Sequence, residues 1–429
     1  MQKPLRNPRS WVKETRGHLH IMRPGLRIAL GLLLTYTAVA ADWPQWRGPK
    51  RDGHSPETAL LQQWPPNGPP LVWKTNGLGA GYSSVSVAAG KIYTMGDRPD
   101  SSFLHALSVA GKPLWSAKVG KPGGGGGYPG PRCTPTVDAD RVYALGQYGD
   151  LVCVETATGK EIWRKNLAKD FGGEVGGWGY SESPLIDGEQ LICTPGGRQG
   201  TLLALNKRTG AKTWQSYQWT DPAEYASVVA APIGGKRHYI QLTGESVGGV
   251  AAESGRVLWR ASRKGSTAII PTPIVQNDLV FVTSGYGVGC NLFRIISTGA
   301  SFKAEQLYAN KNMDNHHGGV VLVGEHLYGY SDGKGWVCMK FDTGEMVWSD
   351  KALGKGSIAY ADAHLYLRSE GSRGTVVLIE ATPNGYREKG RFDQPERSGK
   401  EAWPHPVIAD GKLYLRDQEK LFCYDVKAK

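Results

Sequence analysis

The sequence predicts an all-β chain, an eight-bladed β-propeller of four-stranded antiparallel blades whose last blade is closed by an N-terminal strand. Three observations carry this reading. A small residue, a glycine, three residues and a tryptophan recur at Ala110-Gly111 to Trp115, Thr158-Gly159 to Trp163, Thr209-Gly210 to Trp214, Ser254-Gly255 to Trp259 and Thr343-Gly344 to Trp348. Thr298-Gly299 and Asn384-Gly385 keep only the turn, and successive turn glycines lie 41 to 51 residues apart, which is the period of propeller blades.

The second observation is a hairpin upstream of each copy: an apolar residue, a four-residue polar or small turn, and an apolar pair rich in tyrosine. These begin at Val87, Val137, Ile186, Ile233, Val275, Leu322, Tyr360 and Ile408. Alternation around a short turn is an antiparallel signal, and no segment of the mature chain sustains a 3.6-residue period. Each blade therefore reads as strands A and B around the first turn and C and D around the glycine turn, with tryptophan on outer strand D.

The third observation concerns the ends. The eighth copy stops at Leu421–Val426, which supplies strand C and leaves no residues for D. Leu71–Thr75, Leu-Val-Trp-Lys-Thr, carries a tryptophan in the D position with no strands A to C before it. Pairing the two closes the ring and removes the unpaired edges.

Composition agrees: 58 Gly and 26 Pro in 429 residues, with 21% charged, suit many short strands and turns. Arg23 and Arg27 precede an apolar run, Ile28–Leu34, and Ala38-Val39-Ala40 offers a cleavage site. This predicts a signal peptide over residues 1–40, with translation starting at Met1 or Met22, and a periplasmic or secreted protein. The run is too short for a permanent span, which wants about 20 apolar residues, and no cysteine follows the cleavage site for a lipid anchor. Residues 41–70 read as a leader packing on the propeller, and residues 71–429 as the propeller itself. Residues 1–40 hold seven of the 51 Lys and Arg and one of the 39 acids, so the mature chain carries +6 of the formal +12. With basic residues scattered over turns rather than gathered in a stripe, nucleic-acid binding is excluded as a main reading.

The repeat phrase resembles the pyrroloquinoline quinone (PQQ) repeat family, and the resemblance covers nearly the whole mature chain. Asp42-Trp43-Pro44-Gln45-Trp46-Arg47-Gly48-Pro49 also looks like the leader found before such propellers in exported bacterial proteins. The resemblance implies the fold and a blade-locking role for the phrase. It leaves two functions open, because the family holds both quinoprotein alcohol dehydrogenases and a propeller subunit of the outer-membrane assembly machinery. The dehydrogenases hold PQQ on a tryptophan floor beside calcium, usually near a disulfide of adjacent cysteines. Here the six cysteines are never adjacent and no aspartate-rich calcium loop is present. The favoured reading is thus a monomeric, non-catalytic binding or scaffold protein with no cofactor and a protein or polymer partner. A PQQ-dependent alcohol or sugar dehydrogenase, with Trp178 as floor and Glu182 as calcium ligand, is the alternative.

Blade geometry places any ligand on the face of the variable D-to-A and B-to-C loops, which include Gly123–Gly127 and Gly172–Tyr180. Five residues before the apolar start of each strand A stand Tyr82, Arg132, Ser181, Ile270, His317, Lys355 and Trp403, with blade four ambiguous. A purely structural repeat would keep this position uniform. Its chemical mixture predicts a ligand ring at the channel mouth, joined by Trp178, Tyr180, Glu182, His316 and His405. Adjacent His316 and His317 on an extended strand are expected to face opposite ways, so that one meets the channel. A lone histidine pair lacks metal-ligand spacing, and no metal is expected.

Overall fold

The structure, a computed structural model, describes residues 42–428. The expected signal peptide lies outside those residues.

Eight four-stranded antiparallel sheets form the ring. Blade one runs Ser86–Ala88, Lys91–Asp97, Ser102–Ser108 and Pro113–Gly120, in that order from inner to outer strand. Strands B and C are sandwiched between neighbouring blades, so both of their faces need apolar residues, as in Leu151–Val154. Strand D borders solvent on one side, and Pro113–Gly120 accordingly alternates in exposure. The eighth blade holds Val407–Ala409, Lys412–Asp417 and Lys420–Asp425, and its outer strand is Leu71–Thr75, with Thr75 opposite Leu421. In blade four the turn is Gly234-Gly235, so Ile233 ends strand A, Val229–Ile233, instead of starting it. The chain contains one short helix, Leu167–Phe171, among the described residues; Asn166 caps it by accepting from Ala168 and Lys169 N–H.

The glycine-tryptophan phrase works between copies. Trp115 Nε1 donates to Thr156 O (3.1 Å), Trp163 to Lys207 O (3.0 Å) and Trp348 to Thr382 O (3.0 Å), each carbonyl lying at the C–D turn of the next blade. Trp73 of the closing strand reaches Val109 O in the same way (2.9 Å). Blade five lacks the tryptophan, and Tyr308 Oη donates to Phe341 O in its stead (2.9 Å). The junction of blades four and five departs from the pattern. Strands C and D of blade five, Gly289–Thr298 and Ser301–Asn310, are ten residues long. Phe302 packs edge-on against His238 (4.8 Å), and Trp259 turns back to donate to His238 Nδ1 within its own blade (3.1 Å).

The leader closes the centre of the ring. Trp43 exchanges backbone hydrogen bonds with Val87 (2.8 Å), Val137 N–H donates to Pro44 O, and Tyr360 pairs with Gly53 and Ser55. The buried Arg47 guanidinium donates to Val320 O (2.5 Å), while Arg51 donates to Ser183 O (2.7 Å) and Pro184 O (3.1 Å). Innermost strands bring unpaired carbonyls to the axis, and two arginines satisfy several of them at once.

Candidate functional site

Above the leader, on the face of the D-to-A and B-to-C loops, opens a cavity of about 190 Å³. Seven aromatic residues line it: Trp46, Tyr82, Tyr128, Trp178, Tyr225, Tyr286 and Trp403. Arg132, Ser181, Ile270, His316, His317 and His405 also line it. Blade four's member of the ring is Tyr225, four residues before Val229, as Ser181 stands four before Leu185. The floor is Trp46, whose ring packs on His405 (4.6 Å) and whose Nε1 donates to Thr272 Oγ1. A residue of the leader forming part of the cavity was invisible in the repeat pattern.

Three of the anticipated residues lie off the wall. Tyr180 and Glu182 are buried behind it: Tyr180 Oη donates to Pro195 O, and Glu182 accepts from Thr194 N–H and Thr194 Oγ1. The segment is extended, so Ser181 and Ser183 face the cavity while their neighbours face away. Lys355 stands one layer back, its Nζ donating to His316 Nδ1 (2.5 Å) and pairing with Asp332 (3.2 Å). The expectation that one of His316 and His317 faces the channel is corrected: both line the cavity, with rings 4.8 Å apart. Residues 311–319 bend rather than form a strand, so alternation does not apply.

The histidines are engaged. Donation from Lys355 to His316 Nδ1 puts the imidazole proton on Nε2, which meets Tyr286 Oη (2.7 Å). Burial, together with His317 and Lys355, drives the His316 pKa down to about 3. Burial and the nearby Arg47 hold His405 at about 3; its Nε2 donates to His317 O (3.0 Å). His317 Nε2 and Trp403 Nε1 each donate to Glu370 Oε2 (2.8 Å). Burial alone would raise the Glu370 carboxyl, but those hydrogen bonds and the Lys355 charge hold it at about 2. Burial keeps the Tyr82 hydroxyl at about 12. Arg132 lies over the Tyr82 ring (5.4 Å) and donates to Tyr128 O (2.9 Å) and Trp178 O (3.1 Å). The run Gly123–Gly127 serves close approach here, since side chains at Gly125 and Gly126 would collide with Gly177 and Trp178.

Calcium is held by several oxygen ligands, carboxylates among them. Among the described residues none that lines this cavity is Asp or Glu, and both Glu182 oxygens are taken by Thr194. The donor set therefore does not fit a calcium-bound quinone.

Fold and cavity together define an eight-bladed propeller with a plugged axis and an aromatic mouth on its loop face. A profile of the family described as outer membrane protein assembly factor BamB matches residues 100–350, and the chain belongs to that family. Outer membrane protein assembly factor BamB of Shewanella oneidensis is 22% identical over 317 residues, covering 70% of this chain and 77% of that protein. Quinohemoprotein alcohol dehydrogenase ADH IIB of Pseudomonas putida is 23% identical over 313 residues, 66% of this chain and 44% of that protein. Among solved structures, BamB from Moraxella catarrhalis superposes with a TM-score of 0.59 at 14% identity, covering 84% of this chain and 98% of that one. Quinohemoprotein alcohol dehydrogenase from Comamonas testosteroni gives 0.63 at 11% identity, covering 90% and 81%. At these identities the structural likeness speaks to fold.

Proposed function

We propose that the mature chain is an exported, non-catalytic binding or scaffold propeller whose protein or polymer ligand seats in the aromatic mouth. One observation carries this reading: the groups of the mouth that could serve as general bases, His316, His405 and Glu370, are held by their neighbours away from that role. A general base works best with a pKa near the operating pH, whereas His316 and His405 sit at about 3 and Glu370 at about 2. Both ring nitrogens of His316 and the Glu370 carboxylate are tied to neighbours. What the cavity offers is shape, ring faces and fixed dipoles, the equipment of a binding site. Export is supported by the charged and apolar N-terminal segment and by membership of a family described as an outer membrane assembly factor.

The test is reconstitution of the mature protein with PQQ and calcium, followed by a dye-linked alcohol oxidation assay. No turnover is expected. Clear turnover above the metal-only control would overturn the non-catalytic reading in favour of a quinoprotein dehydrogenase.

A further inference from the structure

We infer that the mouth recognises a carboxylated pyranose, a uronic acid residue of an acidic polysaccharide, with Arg132 receiving the carboxylate. This rests on the binding reading above and names its ligand class. Arg132 is half-buried yet forms no ion pair among the described residues; its guanidinium donates to backbone carbonyls of Tyr128, Gly130 and Trp178. Those three bonds leave Nε–H and one Nη2 proton without an acceptor among the described residues. Asp97 contributes to its electrostatics, but the Asp97 carboxylate is occupied by Gly123 N–H (2.6 Å) and the Gln147 amide (3.0 Å). A half-buried guanidinium with unspent donors favours an anion, and its planar fork suits a carboxylate.

The rest of the wall fits a sugar ring. Trp403 packs against both Tyr82 (4.5 Å) and Tyr128 (4.8 Å), and the partly exposed Trp403 and Tyr128 rings offer an apolar surface on which pyranose C–H groups can pack. Ser227 Oγ accepts the Ser183 backbone N–H (3.0 Å), which leaves its hydroxyl proton to donate to a ligand hydroxyl. A cationic ligand is opposed by the Arg132 charge.

The experiment is calorimetric titration of the mature protein with a β-1,4-linked glucuronic acid trimer, the matching glucose trimer and a tripeptide with a free carboxyl terminus. Wild type, Arg132→Gln, Arg132→Lys and Trp403→Ala are compared, each checked for an unchanged circular dichroism spectrum. The uronate trimer is expected to bind at least about tenfold more tightly than the glucose trimer, a preference that salt weakens. Arg132→Gln should erase the preference and Arg132→Lys should retain part of it. Equal affinity for the two trimers, or a preference that survives Arg132→Gln, overturns the role of Arg132 as carboxylate receptor. Binding of the peptide alone, lost in Trp403→Ala, overturns the sugar class and leaves the binding reading standing. Both fall if no probe binds, or if Trp403→Ala alters no titration.

Discussion

The Trp115 ring lies against Gly159, the turn glycine of the next blade, so closely that a Cβ on Gly159 would come within 2.5 Å of Trp115 Cε3. Trp163 stands in the same relation to Gly210, and Trp214 to Gly255. Glycine and tryptophan of one repeat thus belong to different joints, and four of the five complete copies bind their blade to both neighbours, the exception being the copy whose Trp259 turns back to His238.

Gly159→Ala therefore meets two penalties. Gly159 has φ +72, where an alanine is strained, and the new methyl overlaps the indole. Together these cost about 2–4 kcal/mol. Gly299→Ala is the control, because Gly299 has a similar φ of +62 with nothing within 4 Å of an added Cβ. Its expected cost is the strain alone, about 1–2 kcal/mol. Urea unfolding of both variants checks this; equal losses would mean that the indole contact carries no stability.

The fold was legible because its signal is local and repeated. Ring closure by Leu71–Thr75 was readable from a lone tryptophan strand set against a truncated last copy. The substitution of Tyr308 for tryptophan in blade five was not, since the phrase breaks there and the longer hairpin moves the aromatic out of register. At the site, equivalence between blades placed Tyr82, Arg132 and Trp403 around one cavity. It misjudged Tyr180 and Glu182 because extended chain turns every second side chain away, and it passed over Trp46 because the leader lies outside the repeat. Tyr225 was not recoverable by the same spacing, because counting back from the Gly234-Gly235 turn lands on Ser227, two residues further along the chain.

Arg51 and Glu182 form a buried charge couple between leader and blade three. Burial raises the Glu182 carboxyl to about 7, with the Thr194 hydrogen bonds and the Arg51 charge pulling the other way. Arg51→Ala strips the donor from Ser183 O and Pro184 O and leaves Glu182 without its countercharge, an expected loss of about 3 kcal/mol. Adding Glu182→Gln should make the double variant less unstable than the sum of the single changes. Chemical denaturation of all four proteins closes the cycle, and strict additivity would show the two residues to be uncoupled.

Four histidines set a pH dependence of known sign. Burial depresses His105, His316 and His405 to about 3 and His238 to about 4, against an ordinary value of 6.5. Between pH 6.5 and 4 the unfolded chain binds protons that the folded one refuses, so stability falls with falling pH, by up to about 1.4 kcal/mol per unit for each histidine. Glu182 and Glu224, raised to about 7 chiefly by burial, oppose this, since their contribution is lost as pH rises. The difference between wild type and His405→Gln isolates one histidine. Its variant should show a flatter stability curve from pH 6.5 to 4, measured by urea midpoints, and parallel curves would refute the assignment.

Glu370 holds two walls of the mouth at one oxygen, receiving His317 Nε2 and Trp403 Nε1. Its carboxyl, at about 2 in the fold, titrates below its ordinary 4.5, so its stabilisation is present above pH 4.5 and lost as pH falls toward 2. Glu370→Gln replaces two charge-assisted bonds with neutral ones and is expected to cost about 2 kcal/mol at pH 7. The gap should narrow at pH 3, where forming the wild-type carboxylate contributes less. Trp403→Phe separates packing from hydrogen bonding: it keeps a ring against Tyr82 and Tyr128 while losing the N–H, for about 1 kcal/mol. Urea unfolding of both variants at pH 7 and pH 3 decides the matter. A Glu370→Gln penalty that stays constant with pH would place its effect in packing rather than charge.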